Sequence, residues 1–139
     1  MLIDDDLVSQ FDMRIKLQRH GQPSEILSYD CPIEALSWFE EWKLSNGGLR
    51  LPDILLLDWQ MPKMDGFEFL EEAFERGIPL EEMDIYMASS YSNCLEKATE
   101  EIRSKVRRRF IKPLSRANVD IIFTNQALKE QVWAYFGQH

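Results

Sequence analysis

The sequence predicts an α/β protein, a doubly wound sheet in which parallel strands alternate with crossover helices. Short apolar runs alternate with segments of helical periodicity along the chain, and no internal repeat or low-complexity stretch interrupts them. One of those runs, Ile54-Leu55-Leu56-Leu57, has no polar alternation, the character of a central strand covered on both faces. The third observation is placement: the residues with chemical potential fall where the apolar runs end, and sheets of this kind bind ligands beyond the carboxyl ends of their strands.

Taken in order, Met1 to Ile3 read as the end of a first strand. A helix is expected from about Leu7 to Arg19, closed at His20-Gly21, where glycine suits a C-terminal cap. Glu25 to Ser28 is expected as a second strand. Pro32 to Leu44 reads as a helix with Ile33, Leu36, Phe39 and Trp42 on one buried face, ended by Asn46-Gly47-Gly48. The central strand follows, with Asp58 at its carboxyl end, and then Phe67 to Arg76 places Phe67, Leu70, Ala73 and Phe74 at helical spacing. Asp84 to Ala88 is expected as a fourth strand, Asn93 to Lys105 as a helix with a polar outer face, and Arg109 to Ile111 as a fifth strand. The last helix begins after Pro113. In the tail from Thr124 to His139, Leu128, Val132 and Phe136 recur at helical spacing beside Trp133 and Tyr135. These are expected to pack on the core of the same domain, with a homodimer contact as the sharper alternative, because exposed aromatics are costly to leave in water.

With 139 residues and 45% hydrophobic content, the chain fits one compact domain that needs neither disulfide nor structural metal to fold. Cys31 and Cys94 lack metal-ligand spacing and read as buried small hydrophobes of a reducing cytosol. The longest apolar run is far short of a membrane span, and acidic residues begin at Asp4, too early for a signal peptide, so a cytoplasmic protein is expected. A net charge of −8 argues against direct binding to nucleic acid, whose phosphates most of the surface would repel. The basic run Lys105-Val106-Arg107-Arg108-Arg109 reads as a solvated strand approach, with a docking edge as the alternative. His20 and His139 read as surface residues.

Asp4, Asp5 and Asp6 follow the first strand, and three adjacent carboxylates repel one another unless a cation or hydrogen-bond donors compensate them. Asp6 reads best as a helix N-cap. Asp4 and Asp5 do not, because Asp58 also ends a strand and the topology can bring the two loops side by side. A hard cation with oxygen ligands fits such a cluster, and Mg²⁺ is the usual one when a phosphoryl group shares its coordination. Lys112 stands at the same rim, where its ammonium can pair with Asp58 or a phosphoryl oxygen, and Pro113 makes a cis peptide available. Ser89 and Ser90 end the fourth strand with hydroxyls able to donate to an oxyanion, although strand-end serines are often only turn formers.

The segment Leu55-Leu56-Leu57-Asp58-Trp59-Gln60-Met61-Pro62-Lys63-Met64-Asp65-Gly66 resembles the phosphorylation-site segment of the response-regulator receiver family of two-component signalling. Ile3-Asp4-Asp5-Asp6, Tyr86-Met87-Ala88-Ser89-Ser90 and Phe110-Ile111-Lys112-Pro113-Leu114 also match that family, in order. The resemblance covers roughly residues 1–123, leaving 124–139 as a helical extension of the same domain. It implies a flavodoxin-like (βα)5 fold with the parallel strands in order 2-1-3-4-5. It implies that Asp58 is the phosphoacceptor, and that Asp5, Asp58 and the main-chain carbonyl of Gln60 coordinate Mg²⁺, with Asp4 acting mostly through a metal-bound water. Ser89 and Lys112 would occupy the hydroxyl and lysine positions that contact the phosphoryl group. The donor would be a histidine kinase or a histidine phosphotransfer protein. Asp58 would need no base, since a carboxylate is ordinarily ionised at neutral pH.

Protein binding is the expected output, at the face of the last two strands and helices, because no segment large enough for a DNA-binding or enzymatic domain follows residue 123 in this chain. Only self-catalysed phosphotransfer and slow autodephosphorylation are expected, so the chain reads as a signalling domain and not a dedicated enzyme. The sequence departs from the family three residues before Lys112, where Arg109 stands in place of an aromatic that moves with the hydroxyl residue. Either Phe110 takes that role through a shifted register, or Arg109 is itself presented to a partner. Gln60 and Tyr91 lie two residues beyond Asp58 and Ser89, where the family borders the path of the hydrolytic water, or they are plain loop residues. A pseudo-receiver without phosphotransfer is the competing reading, and a metal-dependent hydrolase is the third. The hydrolase lacks a second carboxylate two residues after Asp58, where Gln60 stands.

Overall fold

The structure, a computed structural model, describes residues 1–21, 23, 25–90 and 98–137. Its elements are β1 (Leu2–Ile3), α1 (Leu7–His20), β2 (Ser28–Tyr29), α2 (Pro32–Leu44), β3 (Ile54–Asp58), α3 (Gly66–Glu75), a 3₁₀ turn (Leu80–Glu82), β4 (Asp84–Ser89), α4 (Glu100–Lys105), β5 (Val106–Ile111) and α5 (Arg116–Phe136). The strands form one sheet in order β2-β1-β3-β4-β5, and every pairing is parallel. This is the flavodoxin-like doubly wound arrangement, with the switch in strand order between β1 and β3.

Period-two alternation divides the interior into two cores. Leu55, Leu57, Ile85 and Met87 face α2, α3 and α4 and pack with Leu36, Phe39, Phe69, Leu70 and Ile102. Leu2, Leu56, Tyr86, Ala88 and Phe110 face α1 and α5 and pack with Met13, Leu17, Val119, Ile122 and Phe123. Because β3 is covered on both faces, Leu55 to Leu57 are all buried, which is why the strand carries no polar alternation.

Several local expectations shift. The second strand is Ser28–Tyr29, later than Glu25 to Ser28, because the register pairs Leu2 with Ser28 and Ile3 with Tyr29. Gln10 fixes that register by donating from Nε2 to the Tyr29 carbonyl at 2.8 Å. On α2, Pro32, Ala35, Leu36 and Phe39 are buried but Ile33 is exposed, because it lies on the outward side of a first turn whose other side is buried. Phe74 is also exposed, with the Lys105 ammonium 5.9 Å above its ring, while Phe69 fills the core position. β5 begins at Val106, so the basic run is part of the edge strand itself and Arg107 pairs with the buried carboxylate of Asp84. The expected helix from Asn93 is seen from Glu100, and 91–97, including Tyr91 and Cys94, lie outside the described residues, as does His139.

The tail is a direct continuation of α5. Its expected packing on the core does not occur: Leu128, Val132, Trp133, Tyr135 and Phe136 are all exposed, because the helix runs past the end of the sheet. Among the described residues no helix is long and apolar enough to cross a membrane.

Candidate functional site

β1, β3 and β4 end side by side, and each delivers polar residues to the same rim. Asp4 leaves β1 fully buried, and its Oδ1 accepts the Asp6 amide at 2.9 Å, which turns the chain toward α1. Asp6 is the N-cap of α1, its Oδ1 accepting from the amides of Val8 and Ser9 at 3.0 and 3.2 Å, so the third carboxylate belongs to the helix as expected. Asp58 closes β3 and is buried. Oxygens of Asp4, Asp5 and Asp58 lie within 4.8 Å of one another.

Lys112 follows β5 and reaches back across the rim, 2.6 Å from Asp4 Oδ2 and 3.0 Å from Asp58 Oδ1. Its peptide bond to Pro113 is cis. The sequence pointed to Asp58 as the partner of this lysine, and the structure adds Asp4 as the closer one. Ser89 is buried at the end of β4, and its carbonyl accepts the Lys112 amide at 2.9 Å, so the serine and the lysine are joined through the main chain. Ser90 stands exposed one residue further on. Gln60 lies in the loop after β3, lining an open cleft of about 450 Å³ with Trp59, Met61, Pro62 and Asp65. A second hollow, about 360 Å³, lies at the opposite end of the sheet and is lined in part by Leu2, Leu17, Arg50 and Ile122. It holds none of the clustered rim carboxylates.

The loop from 59 to 65 is held tightly against β3. The Gly66 amide donates to the Trp59 carbonyl at 2.7 Å, and a Cβ on Gly66 would sit 2.6 Å from the Asp58 carbonyl oxygen, so only glycine lets α3 begin this close to the site. Asp65 caps α3 by accepting the Glu68 amide at 2.8 Å. Lys63 takes a left-handed conformation, φ 71°, costly for a residue with a side chain and of the kind concentrated at functional loops.

The electrostatics follow from burial. Desolvation, reinforced by the Asp4 charge, raises Asp58 from the ordinary carboxylate range to about 7, against the opposing pull of Lys112. The expectation that Asp58 is simply ionised therefore needs correction: without a further cation a sizeable fraction is protonated at neutral pH. Burial alone would lower the Lys112 ammonium, but its hydrogen bond to Asp4 and the charges of Asp58 and Asp4 outweigh it and leave it raised. Three carboxylates thus converge where one ammonium pairs with two of them, an all-oxygen donor set that fits a hard divalent cation and disfavours a soft one.

Phe110 stacks on Tyr86 with 5.7 Å between ring centroids, inside the core facing α1 and α5. Arg109 pairs in register with Met87 and so lies on the opposite face of the sheet. β5 slips by one residue against β4 between Ile85 and Tyr86, ahead of both positions, and beyond that slip Phe110 pairs with Ala88 and lies buried on the face opposite Arg109. Two supports of the site had gone unread. Gln10 donates to the carbonyls of Asp4 and Tyr29 together, a bond that no motif signals, and Gly66 was visible only as the last residue of a matching segment.

The family model for the response regulator receiver domain matches residues 1–129, and the chain belongs to that family. Among curated proteins it is similar to the cyclic di-GMP phosphodiesterase response regulator RpfG of Xanthomonas campestris, 30% identical over 69 residues, which is 50% of this chain and 16% of that protein. Among solved structures it resembles a two component response regulator from Cytophaga hutchinsonii, with a TM-score of 0.78, 23% identity and coverage of 92% and 94% of the two chains. A CheY-like receiver domain protein from Methanospirillum hungatei matches with a TM-score of 0.68, 20% identity and coverage of 86% and 85%. A mutant receiver domain of the histidine kinase CKI1 from Arabidopsis thaliana matches at 0.67, 26% identity and coverage of 89% and 87%. A two-component signalling domain is thereby established, and receivers of this family are signalling domains, not dedicated enzymes.

Proposed function

We infer that the chain accepts a phosphoryl group from a phosphohistidine onto Asp58 and answers by changing its affinity for a protein target. The observation that carries this reading is the convergence of Asp4, Asp5 and Asp58 within 4.8 Å, with Lys112 bridging Asp4 and Asp58. In the reaction, an Asp58 carboxylate oxygen forms a bond to phosphorus while the bond from phosphorus to the donor's imidazole nitrogen breaks and its electron pair returns to that nitrogen. Lys112 faces the negative charge spread over the transferring oxygens, and the Ser89 hydroxyl would donate to one of them. Residues 1–123 form the receiver unit in this reading, and 124–139 its helical extension.

Asp5, Asp58 and the Gln60 carbonyl would hold Mg²⁺, with Asp4 beside them. A divalent cation there supplies two positive charges against the phosphoryl oxygens and keeps Asp58 ionised, where burial and Asp4 otherwise favour its protonated form. Burial of Asp58 beside Asp4, which raises its carboxyl, is what would call for that second role in this chain.

Incubation with acetyl phosphate and Mg²⁺ tests the reading. Stable stoichiometric labelling, lost in Asp58→Asn, is the expected result. Absence of labelling would instead indicate a pseudo-receiver that serves as an interaction module, and rapid continuous turnover a hydrolase. Labelling of Asp58→Asn at an unchanged level would remove Asp58 from the account.

A further inference from the structure

α5 keeps its helical hydrogen bonding from Arg116 to Phe136, but the domain supports only its first part. Val119, Ile122 and Phe123 are buried, the Asn125 amide donates to the Tyr86 hydroxyl at 3.1 Å, and Lys129 pairs with the buried Asp84. From Glu130 to Gly137 every residue is exposed. The helix therefore projects about two turns beyond its last anchor. The projecting part is not a polar helix: Leu128 and Val132 are each 54% exposed, Tyr135 66%, Phe136 69% and Trp133 78%. Together these side chains present on the order of 600 Å² to water, as large as the largest patch typical of a monomer.

The pattern of these residues says what covers them. Ile121, Asn125, Leu128, Val132 and Tyr135 are spaced four, three, four and three apart, the seam of a two-stranded coiled coil. Ile121 and Asn125 lie against the domain, and the remaining three carry the same seam into solvent. Charge agrees. The chain carries −8, yet residues 124–137 hold only Lys129 and Glu130, so two copies can meet there without the repulsion their domains would otherwise impose. A strongly charged partner would find nothing to complement. The seam side chains with Phe136 supply about half of the roughly 800 Å² per partner of a standard interface, the size of a small self-association contact.

We propose that the projecting end of α5 is a self-association surface, on which the same segment of a second copy of this chain packs through Leu128, Val132 and Tyr135 about a twofold axis. Phe136 flanks that seam, Trp133 stands about 100° round the helix from Val132 and outside it, and the Asp84–Lys129 pair sets the direction in which the helix leaves the domain. This goes beyond phosphoryl chemistry and does not depend on it.

Sedimentation equilibrium of the chain at tens of micromolar, with no phosphodonor, is the test. The expected mass is twice the 16.4 kDa of one chain. Val132→Glu places a charge in the seam and raises the dimer dissociation constant by about 100-fold or more. Since Val132 is exposed in the single chain, that variant keeps its far-ultraviolet circular dichroism, which separates lost association from lost folding. Glu130→Gln, off the seam, leaves the mass doubled. A monomeric native chain overturns the proposal, and so does a dimer that Val132→Glu and Leu128→Glu both leave at native strength.

Discussion

The two ends of the central strands each bury an aspartate among cations, and the balance is opposite at the two ends. At the carboxyl ends, Asp4 and Asp58 share the ammonium of Lys112, and Asp5 adds a third carboxylate within 4.8 Å of both. At the amino end of β4, the single carboxylate of Asp84 takes both Arg107 and Lys129 on its Oδ1. The first cluster has unmet negative charge, so its energy improves when a cation arrives, and Asp58 holds its proton up to about pH 7. The second already has more positive than negative charge and gains nothing from an ion. Burial of an acid does not by itself mark a binding site; the excess of carboxylate over cation does.

The comparison can be broken in four places. The largest expected effect is at the amino end: Asp84→Ala leaves two cations facing a buried hole and lowers unfolding stability by about 3 kcal/mol, read from urea midpoints. Next is the response to Mg²⁺, which at one hundred times its dissociation constant raises stability by about 2.7 kcal/mol in the native chain. That gain disappears in Asp58→Asn and persists in Asp84→Ala; equal gains in all three would place the cation elsewhere.

The third is the pH dependence of Asp58 without Mg²⁺. Its folded value, about 7, is above the ordinary 3.8, so the folded state binds the extra proton and stability falls as pH rises from about 4 to about 7. Asp58→Asn, which cannot ionise, should therefore match the native chain near pH 3.5 and exceed it at pH 8 by on the order of 2 kcal/mol. A native chain as stable as the variant at pH 8 would show that the carboxylate is not strained. The smallest effect is Lys129→Met, about 1 kcal/mol or less, because Arg107 remains on Asp84 and the lysine is partly exposed.

How far these features could be read in advance follows their range along the chain. The central strand, the spans of α2 and α3 and the closure of α1 at Gly21 depend on neighbouring residues, and all were legible within a residue or two. β2 was misplaced because a two-residue strand owes its position to Gln10 and to pairing with β1, not to its own pattern. At the rim, the acidic run and Lys112 could be suspected of meeting because each ends a strand, but the order of contacts could not. That Lys112 lies closer to Asp4 than to Asp58 depends on residues 108 positions apart in sequence. The Asp84 cluster left no trace at all, since Arg107 sat inside a run that reads as solvated charge and Lys129 on a helix face whose direction only the fold sets. The outward turn of the α5 seam was legible only as the alternative to packing on the core, because helical spacing gives a face and not what lies opposite it.

The central claim is that Asp58, and no other rim carboxylate, becomes an acyl phosphate. Borohydride reduction after phosphorylation converts an aspartyl phosphate to homoserine, and peptide mass mapping then reports the position. The account predicts homoserine at residue 58 alone, formed only when Mg²⁺ is present. Homoserine at Asp4 or Asp5, or equal conversion in the presence of a chelator, would contradict it.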